Sequence, residues 1–376
     1  MTDWGLLGTR LSLFGAVLPR ALASTWIAAR GDTEAGVPPS RRGPLVVGET
    51  AIDELFIAIN AVTRNIPPMA VIGAYIDRCE GVADEFAQLG MRIHRRPDVP
   101  RVLSRQRRTF GTTRFDHIDF DIRDVALPDS VAGLDPYAGT ASSVRVVSRG
   151  TPGRRWLIWV HGAAQGRSDD MYSFRAAHLH GVLDFDVAFP VLPAHGGRRR
   201  RQIAYPGMDP LSNVVLTVRA IAEIRALIGW IGTYEPAEII LAGTSLGGPI
   251  AAVVSGLESV SKVMAVVPML DMHGTLAHHM DRAGGRGREL GGLMRADAVT
   301  AVSSVMDPLA LTPTATAENR MVVAALNDRV TSLSAARQLH AHWDGHVEWF
   351  AGSHVGAAMA PSIHAATDRF LAETIA

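Results

Sequence analysis

The stretch EIILAGTSLGGPIAA, residues 238–252, decides the fold and raises the question of function. An apolar run ends at Gly243, and Ser245 stands between glycines before a second apolar segment begins. The pattern G-x-S-x-G predicts a strand, a sharp turn that carries the serine, and a helix. Because so short a motif also arises by chance, its meaning depends on the segments around it.

Six short apolar runs in the C-terminal two thirds of the chain predict strands. Each run is nearly continuous, which is typical of parallel strands that are covered on both faces. Helical segments separate them, and this alternation predicts an α/β fold with a mostly parallel, doubly wound sheet. The runs are WLIWV (156–160), FDVAFPVL (185–192), EIILA (238–242), VMAVV (263–267), MVVAAL (321–326) and VEWF (347–350).

Residues 114–122, RFDHIDFDI, alternate between polar and apolar and predict an edge or antiparallel strand. Residues 142–148, SSVRVVS, are its expected partner. We expect four apolar residues on one face, with a slip of the alternation near His117: Phe115, Ile118, Phe120 and Ile122.

The clearest helical segment is LSNVVLTVRAIAEIRALIGWI, residues 211–231. Its 3.6-residue period predicts an apolar face turned inward and a charged face turned to solvent. The expected inward residues are Val214, Val218, Ile221 and Ile228, and the expected outward residues are Arg219, Glu223 and Arg225.

The first third of the chain has helical patterns and no catalytic motif. Ile52, Leu55, Phe56 and Ile59 recur at helical spacing after Thr50, a candidate cap. The basic stretch 101–114, RVLSRQRRTFGTTR, indicates a solvated linker. We therefore expect a helical extension over residues 1–112 and a separate α/β domain over residues 113–376.

The stretch LSLFGAVLPRALASTWIAAR, residues 11–30, is apolar but is interrupted by Pro19 and Arg20. Each uncharged piece is too short to span a bilayer, and the pattern differs from that of a signal peptide. Two interpretations are open: a helix that packs its apolar face on the main domain, or one that lies on a membrane surface as a peripheral contact.

Charge and cysteine content limit the classes of partner. Lysine plus arginine and aspartate plus glutamate each number 37 in 376 residues, so no overall field favours nucleic acid or an anionic membrane. Cys79 is the single cysteine, so the chain forms no internal disulfide. This fits a reducing compartment, and we expect a cytoplasmic location.

Three reactive residues come directly after predicted strands. Ser245 follows the run at 238–242, Asp328 follows the run at 321–326, and His354 follows the run at 347–350. A serine hydroxyl needs a general base to become nucleophilic, and the base needs an acid to orient it. Ligands bind beyond the carboxyl ends of such strands, so we expect these residues to meet there. Asp271 and Asp307 are the alternative acids.

With these residues the chain resembles the α/β-hydrolase superfamily over about residues 113–376. GTSLGG, NDRV, GSHVG and WVHGAAQG carry the resemblance, and the order Ser…Asp…His is that of the superfamily. It implies that the backbone N–H groups of Ala163 and Leu246 hold an oxyanion and that His161 shapes the oxyanion loop. Residues 272–318 would form either a small lid or a loop with one helix.

The stretch VLPAHGGRRRR, residues 191–201, is similar to an L-P-x-H-G-x-R segment after the fourth core strand in an esterase-like branch. The similarity implies that His195 and Arg198 lie near the site entrance. Two interpretations are open: an exposed basic loop, or residues that orient an anionic or carbonyl group of the substrate.

The predicted function is that of a serine hydrolase acting on a carboxylic ester or thioester. The expected substrate is a small-molecule or lipid-like ester, with no cofactor and no metal. An acyltransferase with the same three residues and a non-catalytic binding protein of the same fold are the alternatives.

Overall fold

The computed structural model describes residues 12–32, 36–63, 67–122, 125–282 and 285–373. Within these residues, nine strands form one sheet in the order β1-β2-β3-β5-β4-β6-β7-β8-β9. The strands are β1 Arg101–Phe110, β2 Thr113–Asp121, β3 Ser142–Val147, β4 Arg155–Val160, β5 Phe185–Val191, β6 Glu238–Thr244, β7 Lys262–Val266, β8 Arg320–Ala325 and β9 His346–Phe350.

The sheet is mostly parallel, as predicted, and the six apolar runs form β4 to β9. Every pairing among these six strands is parallel, whereas β1, β2 and β3 pair in antiparallel fashion. On β4, Trp156 and Ile158 belong to one apolar cluster, and Leu157 and Trp159 belong to another. Because neighbouring side chains point to opposite faces of a strand, the two clusters cover the two faces of the sheet.

Strand β2 pairs with β3 as expected, but the predicted slip near His117 is wrong. Pairing runs without a shift from Asp116 to Phe120. Phe115 therefore lies on the opposite face from Ile118, and it joins the other apolar cluster. The strand buries apolar side chains on both faces, which the expected one-sided pattern did not allow.

The predicted linker over residues 101–114 is wrong, because β1 occupies most of it. Strand β1 pairs with β2 along its whole length, and Arg105 and Arg107 contact Asp116 of β2. The side chains of β1 are largely exposed, so a basic composition suits this edge strand. The expected domain boundary at residue 112 falls in the turn between β1 and β2.

Helices cover both faces of the sheet. In the described part of the chain they are α1 Val17–Ala28, α2 Pro44–Thr63, α3 Met69–Glu80, α4 Ala83–Leu89, α5 Asp129–Ala132, α6 Asp170–Ser173, α7 Ala176–Gly181, α8 Pro210–Gly232, α9 Gly247–Leu257, α10 Met272–Asp281, α11 Gly285–Met294, α12 Asp297–Ser303, α13 Leu333–Trp343, α14 His354–Ala357 and α15 Pro361–Ala372. None of these helices has the length and apolar character needed to cross a membrane.

Helix α8 forms where its apolar periodicity predicts it, but the prediction that its charged residues face solvent is wrong. Arg219, Glu223 and Arg225 are all buried. Arg219 pairs with Asp135, and Arg225 pairs with Glu258. Segments that precede and follow the helix cover its outer face, and their acidic groups neutralise the buried guanidinium groups.

Helix α2 begins before the predicted cap and has an unexpected orientation. Thr50 lies inside the helix, where its hydroxyl donates to the carbonyl of Val46, so its assignment as a cap is wrong. Of the four apolar side chains that marked the helix, Phe56 is half-buried, and the other three are exposed to solvent: Ile52, Leu55 and Ile59. The inner face carries buried carboxylates, Asp53 and Glu54.

Helix α1 contacts α2 and also presents large apolar side chains to solvent. Its buried residues are the small Ala21 and Thr25, whereas Leu18, Leu22 and Trp26 are more than half exposed. Leu13, which precedes the helix, is buried, so the segment packs through this residue and the small face of α1 while the large side chains of α1 stay exposed.

Residues 272–318 contain three helices, α10, α11 and α12, rather than a loop with one helix. Helix α11 contacts α3, and α12 contacts both α3 and α4. This segment therefore packs against the N-terminal helices. A role as a lid stays a prediction.

Candidate active site

Ser245 lies on a sharp turn between β6 and α9, as the motif predicted. Its φ of 53° is in the left-handed region, which a residue with a side chain rarely adopts. The Ser245 N–H donates to the carbonyl of Val266 at 2.9 Å, and its carbonyl accepts from the N–H of Met269 at 3.1 Å. These hydrogen bonds hold the strained turn at the carboxyl end of the sheet.

Two glycines allow the turn to pack closely. A Cβ built on Gly243 would lie 2.1 Å from the carbonyl oxygen of Gly247, and one built on Gly247 would lie 2.3 Å from that of Val160. No side chain fits at these distances. Both positions therefore require glycine, since α9 begins directly against β4 and β6.

The structure brings the three predicted residues into one hydrogen-bonded chain. His354 Nε2 lies 3.0 Å from Ser245 Oγ, and His354 Nδ1 lies 2.8 Å from Asp328 Oδ2. Each residue follows the carboxyl end of a different strand: β6, β8 and β9. These parallel strands belong to one sheet, so residues that are far apart in sequence meet where the carboxyl ends of the strands lie together.

Asp328 is held by its own loop. Its Oδ1 accepts from the N–H groups of Val330 and Thr331, and its Oδ2 accepts from the hydroxyl of Thr331 and from His354. Burial alone would raise the pKa of Asp328, but the charge of His354 and these hydrogen bonds lower it below its usual value. Asp328 is therefore an ionised acceptor beside the imidazole.

Burial alone would lower the pKa of His354, since an imidazolium loses hydration there. The charge and the hydrogen bond of Asp328, with a contribution from the charge of Asp53, raise the pKa above its usual value. The site therefore favours a proton on this imidazole, as a general base requires when it takes one from a hydroxyl.

The alternative acids have other roles. Asp271 accepts from the N–H of Gly274 at the start of α10, and Asp307 accepts from the N–H of Leu309. Both carboxylates therefore cap short helical segments. No contact of either residue with His354 is found.

Asp53 of α2 is a site contact that the sequence analysis missed. Its carboxylate accepts from the backbone N–H groups of Arg329, His354 and Val355 at 3.1, 2.9 and 3.0 Å. One buried carboxylate thus joins the loop of the candidate acid to the loop of the candidate base. No local motif marks Asp53, and its only signal is an acidic side chain opposite the apolar stripe of a helix.

His161 shapes the loop after β4. Its Nε2 accepts from the N–H of Leu192, so its Nδ1 carries the proton and donates to the carbonyl of Gly162 at 2.7 Å. Burial lowers the pKa of His161 to about 3, which keeps the ring neutral. A Cβ built on Gly162 would lie 3.1 Å from Ser245 Cβ, so the loop that contains Ala163 lies against the serine.

His195 is buried and the side chain of Arg198 is only 7% exposed, so the interpretation as an exposed basic loop is wrong for both. The guanidinium of Arg198 forms a forked pair with Glu223, at 2.6 and 2.7 Å, and also donates to the carbonyl of Val191. His195 Nδ1 lies 2.8 Å from the carbonyl of Pro193. Because Glu223 occupies the fork of Arg198, the geometry does not support substrate binding by this arginine.

The arrangement can pass a proton from the Ser245 hydroxyl to His354 and stabilise the resulting imidazolium through Asp328. This is the chemistry of a nucleophilic serine. Among the described residues, no group of three or more His, Cys, Asp or Glu side chains is placed to hold a metal ion.

Sequence comparison finds distant relatives. No family model matches the chain. Two uncharacterized proteins of Mycobacterium tuberculosis, one from strain CDC 1551 / Oshkosh and one from strain H37Rv, are each 32% identical to it over 252 residues. The match covers 60% of this chain and 58% of each relative, so it spans less than two thirds of their length.

Comparison with solved structures covers more of the chain. Acetyl xylan esterase 1 from Thermoanaerobacterium sp. JW/SL YS485 superposes with a TM-score of 0.55 and 16% sequence identity. The superposition covers 82% of this chain and 99% of that one. Together with the strand order and the serine turn between β6 and α9, this likeness shows that the chain has the α/β-hydrolase fold.

Proposed function

We propose that the chain is a serine hydrolase that cleaves a carboxylic ester or thioester through an acyl-enzyme. The observation that carries the proposal is the hydrogen-bonded chain from Ser245 through His354 to Asp328. Ser245 attacks the acyl carbonyl, and His354 takes its proton and then gives it to the leaving group. Asp328 fixes the tautomer of His354, and water releases the acyl group.

The backbone N–H groups of Ala163 and Leu246 are the proposed oxyanion donors. Leu246 is the first residue after the serine and lies at the N-cap position of α9, where the helix dipole favours negative charge. The loop of Ala163 lies against Ser245, as the contact of Gly162 indicates. Within the described part of the protein, neither N–H donates to an acceptor, so both are available to a substrate oxygen.

The residues of the loops after β4 and β5 act indirectly in this proposal. His161 joins the two loops, and the rings of His161 and His195 meet edge to face with centroids 5.1 Å apart. Arg198 and Glu223 attach the second loop to α8. These contacts support a role in holding the oxyanion loop against the serine, rather than direct contact with substrate.

Cys79 is not a competing nucleophile. It is buried, and burial raises the pKa of its thiol to about 12, so the reactive thiolate is scarce at neutral pH. A single free thiol also fits the cytoplasmic location that we propose.

Labelling with a fluorophosphonate tests the assignment of the nucleophile. We expect wild-type protein and the matched control Ser334→Ala, which removes an exposed serine on α13, to be labelled and to hydrolyse p-nitrophenyl esters. Ser245→Ala should lose both properties. Labelling or ester turnover that persists in Ser245→Ala would contradict the proposal.

The same assay addresses the substrate. A series of p-nitrophenyl esters of increasing chain length, with thioester counterparts, separates a small acyl group from a lipid-like one, which the fold does not determine. Adding an alcohol and measuring the two products distinguishes hydrolysis from acyl transfer, since both use the same acyl-enzyme.

A further inference from the structure

Helix α2 lies beside the candidate active site, and its inner face carries carboxylates as well as the buried apolar residues Val46, Ile57 and Ala58. Asp53 is completely buried and receives three backbone hydrogen bonds. Glu49, one turn earlier, accepts from the N–H of Ser353 at 3.3 Å. Glu54 pairs with Arg329 and Arg282.

The three donors to Asp53 belong to both loops of the candidate proton relay. Arg329 directly follows Asp328, and Val355 directly follows His354, whose own N–H is the third donor. The distance between Asp328 and His354 therefore depends on a carboxylate more than 270 residues away in the chain. We infer that Asp53 is a positioning residue that holds the acid loop and the base loop in register for catalysis.

This inference rests on the proposed function. Few charged groups face His354: Asp328 from the loop after β8 and Asp53 from α2, while Glu49 contacts the preceding residue and Arg329 turns toward Glu54. The negative charge of Asp53 favours the imidazolium form of His354. Asp53 thus has an electrostatic effect that a purely structural contact would lack.

The variant Asp53→Asn keeps the size of the side chain but removes its charge and one acceptor oxygen. We expect kcat to fall about 10- to 100-fold with a smaller change in KM, since small displacements of catalytic groups have effects of this size. The acid limb of the kcat/KM profile should move to lower pH, because His354 loses a charge that favours its protonation.

Thr50→Val is the matched control. Thr50 is buried one turn earlier on the same face, and its hydroxyl bonds only within the helix to the carbonyl of Val46. This variant should perturb α2 without moving kcat or the acid limb. Wild-type kcat and an unmoved acid limb in Asp53→Asn would overturn the inference.

Amide hydrogen exchange of the wild-type protein needs no variant and no substrate. The N–H groups of Arg329, His354 and Val355 should be protected, and rapid exchange of all three would overturn the inference even if Asp53→Asn failed to fold. Turnover that persists in Ser245→Ala would instead contradict the proposed function, so the two failures are distinguishable.

The outer face of α2, together with α1, supports an independent inference. On α1, Leu18, Leu22 and Trp26 recur every four residues on one exposed side. Leu45 and Ile52 recur at a seven-residue spacing on the exposed side of α2, and Leu45 is 75% exposed. Soluble proteins rarely leave so many large apolar side chains exposed on neighbouring helices without a partner.

The charges around these stripes favour an anionic partner. Arg30, Arg41 and Arg42 are exposed, and the guanidinium of Arg42 lies 4.2 Å from the ring centroid of Trp26. The described acidic residues nearby are engaged elsewhere: Asp32 pairs with Arg337, and the carboxylates of α2 turn toward the site. In a twofold dimer whose axis passed near these arginines, like charges would face one another, which disfavours a second copy as the partner.

We propose that α1 and α2 dock on the surface of an anionic lipid bilayer. Leucine, isoleucine and tryptophan side chains would enter the boundary between headgroups and acyl chains, while the arginines would contact anionic headgroups. The inner face of α2 contacts the loop of His354, so a bilayer bound to the outer face would lie on the far side of the same helix.

Vesicle cosedimentation of the full chain tests the proposal with phosphatidylcholine alone and with added phosphatidylglycerol. We expect binding that increases with phosphatidylglycerol and falls with salt. Leu22→Asp with Trp26→Ser should abolish it, and Arg41→Glu with Arg42→Glu should weaken it at least about tenfold. Val182→Asp, at an exposed valine after α7, should bind as wild type does.

Two outcomes would overturn the lipid assignment. One is equal sedimentation of the wild type and of the Leu22→Asp, Trp26→Ser variant with anionic vesicles. The other is a wild-type dimer in analytical ultracentrifugation that Leu22→Asp dissociates, which would assign this face to a second copy of the chain.

Discussion

The central sheet and helix α2 differ in whether the apolar side chains that identify them in the sequence are buried or exposed. On β4 every apolar residue is buried, because helices cover both faces of a parallel sheet. On α2 the apolar stripe faces solvent, and the carboxylates face inward toward the loops of Asp328 and His354. An apolar repeat therefore predicts the type of secondary structure more reliably than it predicts which face of the helix or strand is buried.

The largest expected effect concerns the three residues that follow the carboxyl ends of strands. Asp328→Asn should lower kcat about 10⁴-fold, because the amide favours the wrong tautomer of His354. The hydrogen bonds from Val330 and Thr331 can still reach the remaining carbonyl oxygen, so the protein should fold. Steady-state ester kinetics and circular dichroism measure the two quantities. A tenfold effect or less would place the orienting acid elsewhere.

The next prediction makes the same substitution on both sides of the comparison. Ile158→Ala on β4 should reduce the free energy of unfolding by about 2–5 kcal/mol, because Ile158 is fully buried and the change leaves a cavity. Ile52→Ala on α2 should change it by less than about 0.5 kcal/mol, since that side chain is 47% exposed. Urea unfolding gives both values. Similar losses would show that the outer face of α2 is covered in solution.

A smaller effect separates two glycines in helical segments. Gly247→Ala should destabilise the protein by about 1–3 kcal/mol, because the added methyl group would meet the carbonyl of Val160. Gly229→Ala on α8 should stabilise it by about 0.5–1 kcal/mol, since its new Cβ would make an ordinary contact with Val99. Thermal unfolding of the two variants should therefore shift in opposite directions.

The smallest expected effect is on the pH dependence of activity, whose midpoint should lie above the usual pKa of histidine. His354 must be neutral to accept a proton, and its pKa is raised above 6.5 chiefly by Asp328. The activity of the wild type should therefore rise with pH through a midpoint above 6.5, as kcat/KM measured across neutral pH would show. A midpoint below 6.5 would indicate that burial outweighs the carboxylates.

The pH dependence of stability follows from the same pair. The raised pKa of His354 contributes stability that is present below its unfolded-state pKa and is lost as the pH rises through the folded value. The lowered pKa of Asp328 contributes stability that is present above its unfolded-state value and is lost as the pH falls through the lowered one. The pair should therefore stabilise the fold most between the unfolded-state pKa of Asp328 and the unfolded-state pKa of His354.

Much of the sheet could be predicted because its signals are local. A strand that is buried on both faces needs a continuous apolar run, and such runs placed β4 to β9 within a few residues. The Ser245 turn was predictable because a strand, glycines and a helix stand together in sequence. Strand β1 was not predictable, since an edge strand tolerates the same exposed arginines that a solvated linker contains.

The charged residues of α8 show why other features escaped prediction. Arg219 pairs with Asp135, 84 positions away, and Arg198 pairs with Glu223 across a loop and a helix. A charged residue usually indicates a solvated face, and only a partner brought by the fold makes its burial tolerable. Local periodicity contains no information about such partners.

The sequence by itself determined strands β2 to β9 and their alternation with helices, the serine turn and three reactive residues at strand ends. These features depend on neighbours in the chain and on the apolar content that a two-sided sheet requires. Only the tertiary structure decided that Ser245, His354 and Asp328 lie within hydrogen-bond distance. It alone also placed Asp53 between two loops and left the apolar stripes of α1 and α2 outside. The physical reason is that each of these features depends on contacts between segments that are distant in sequence.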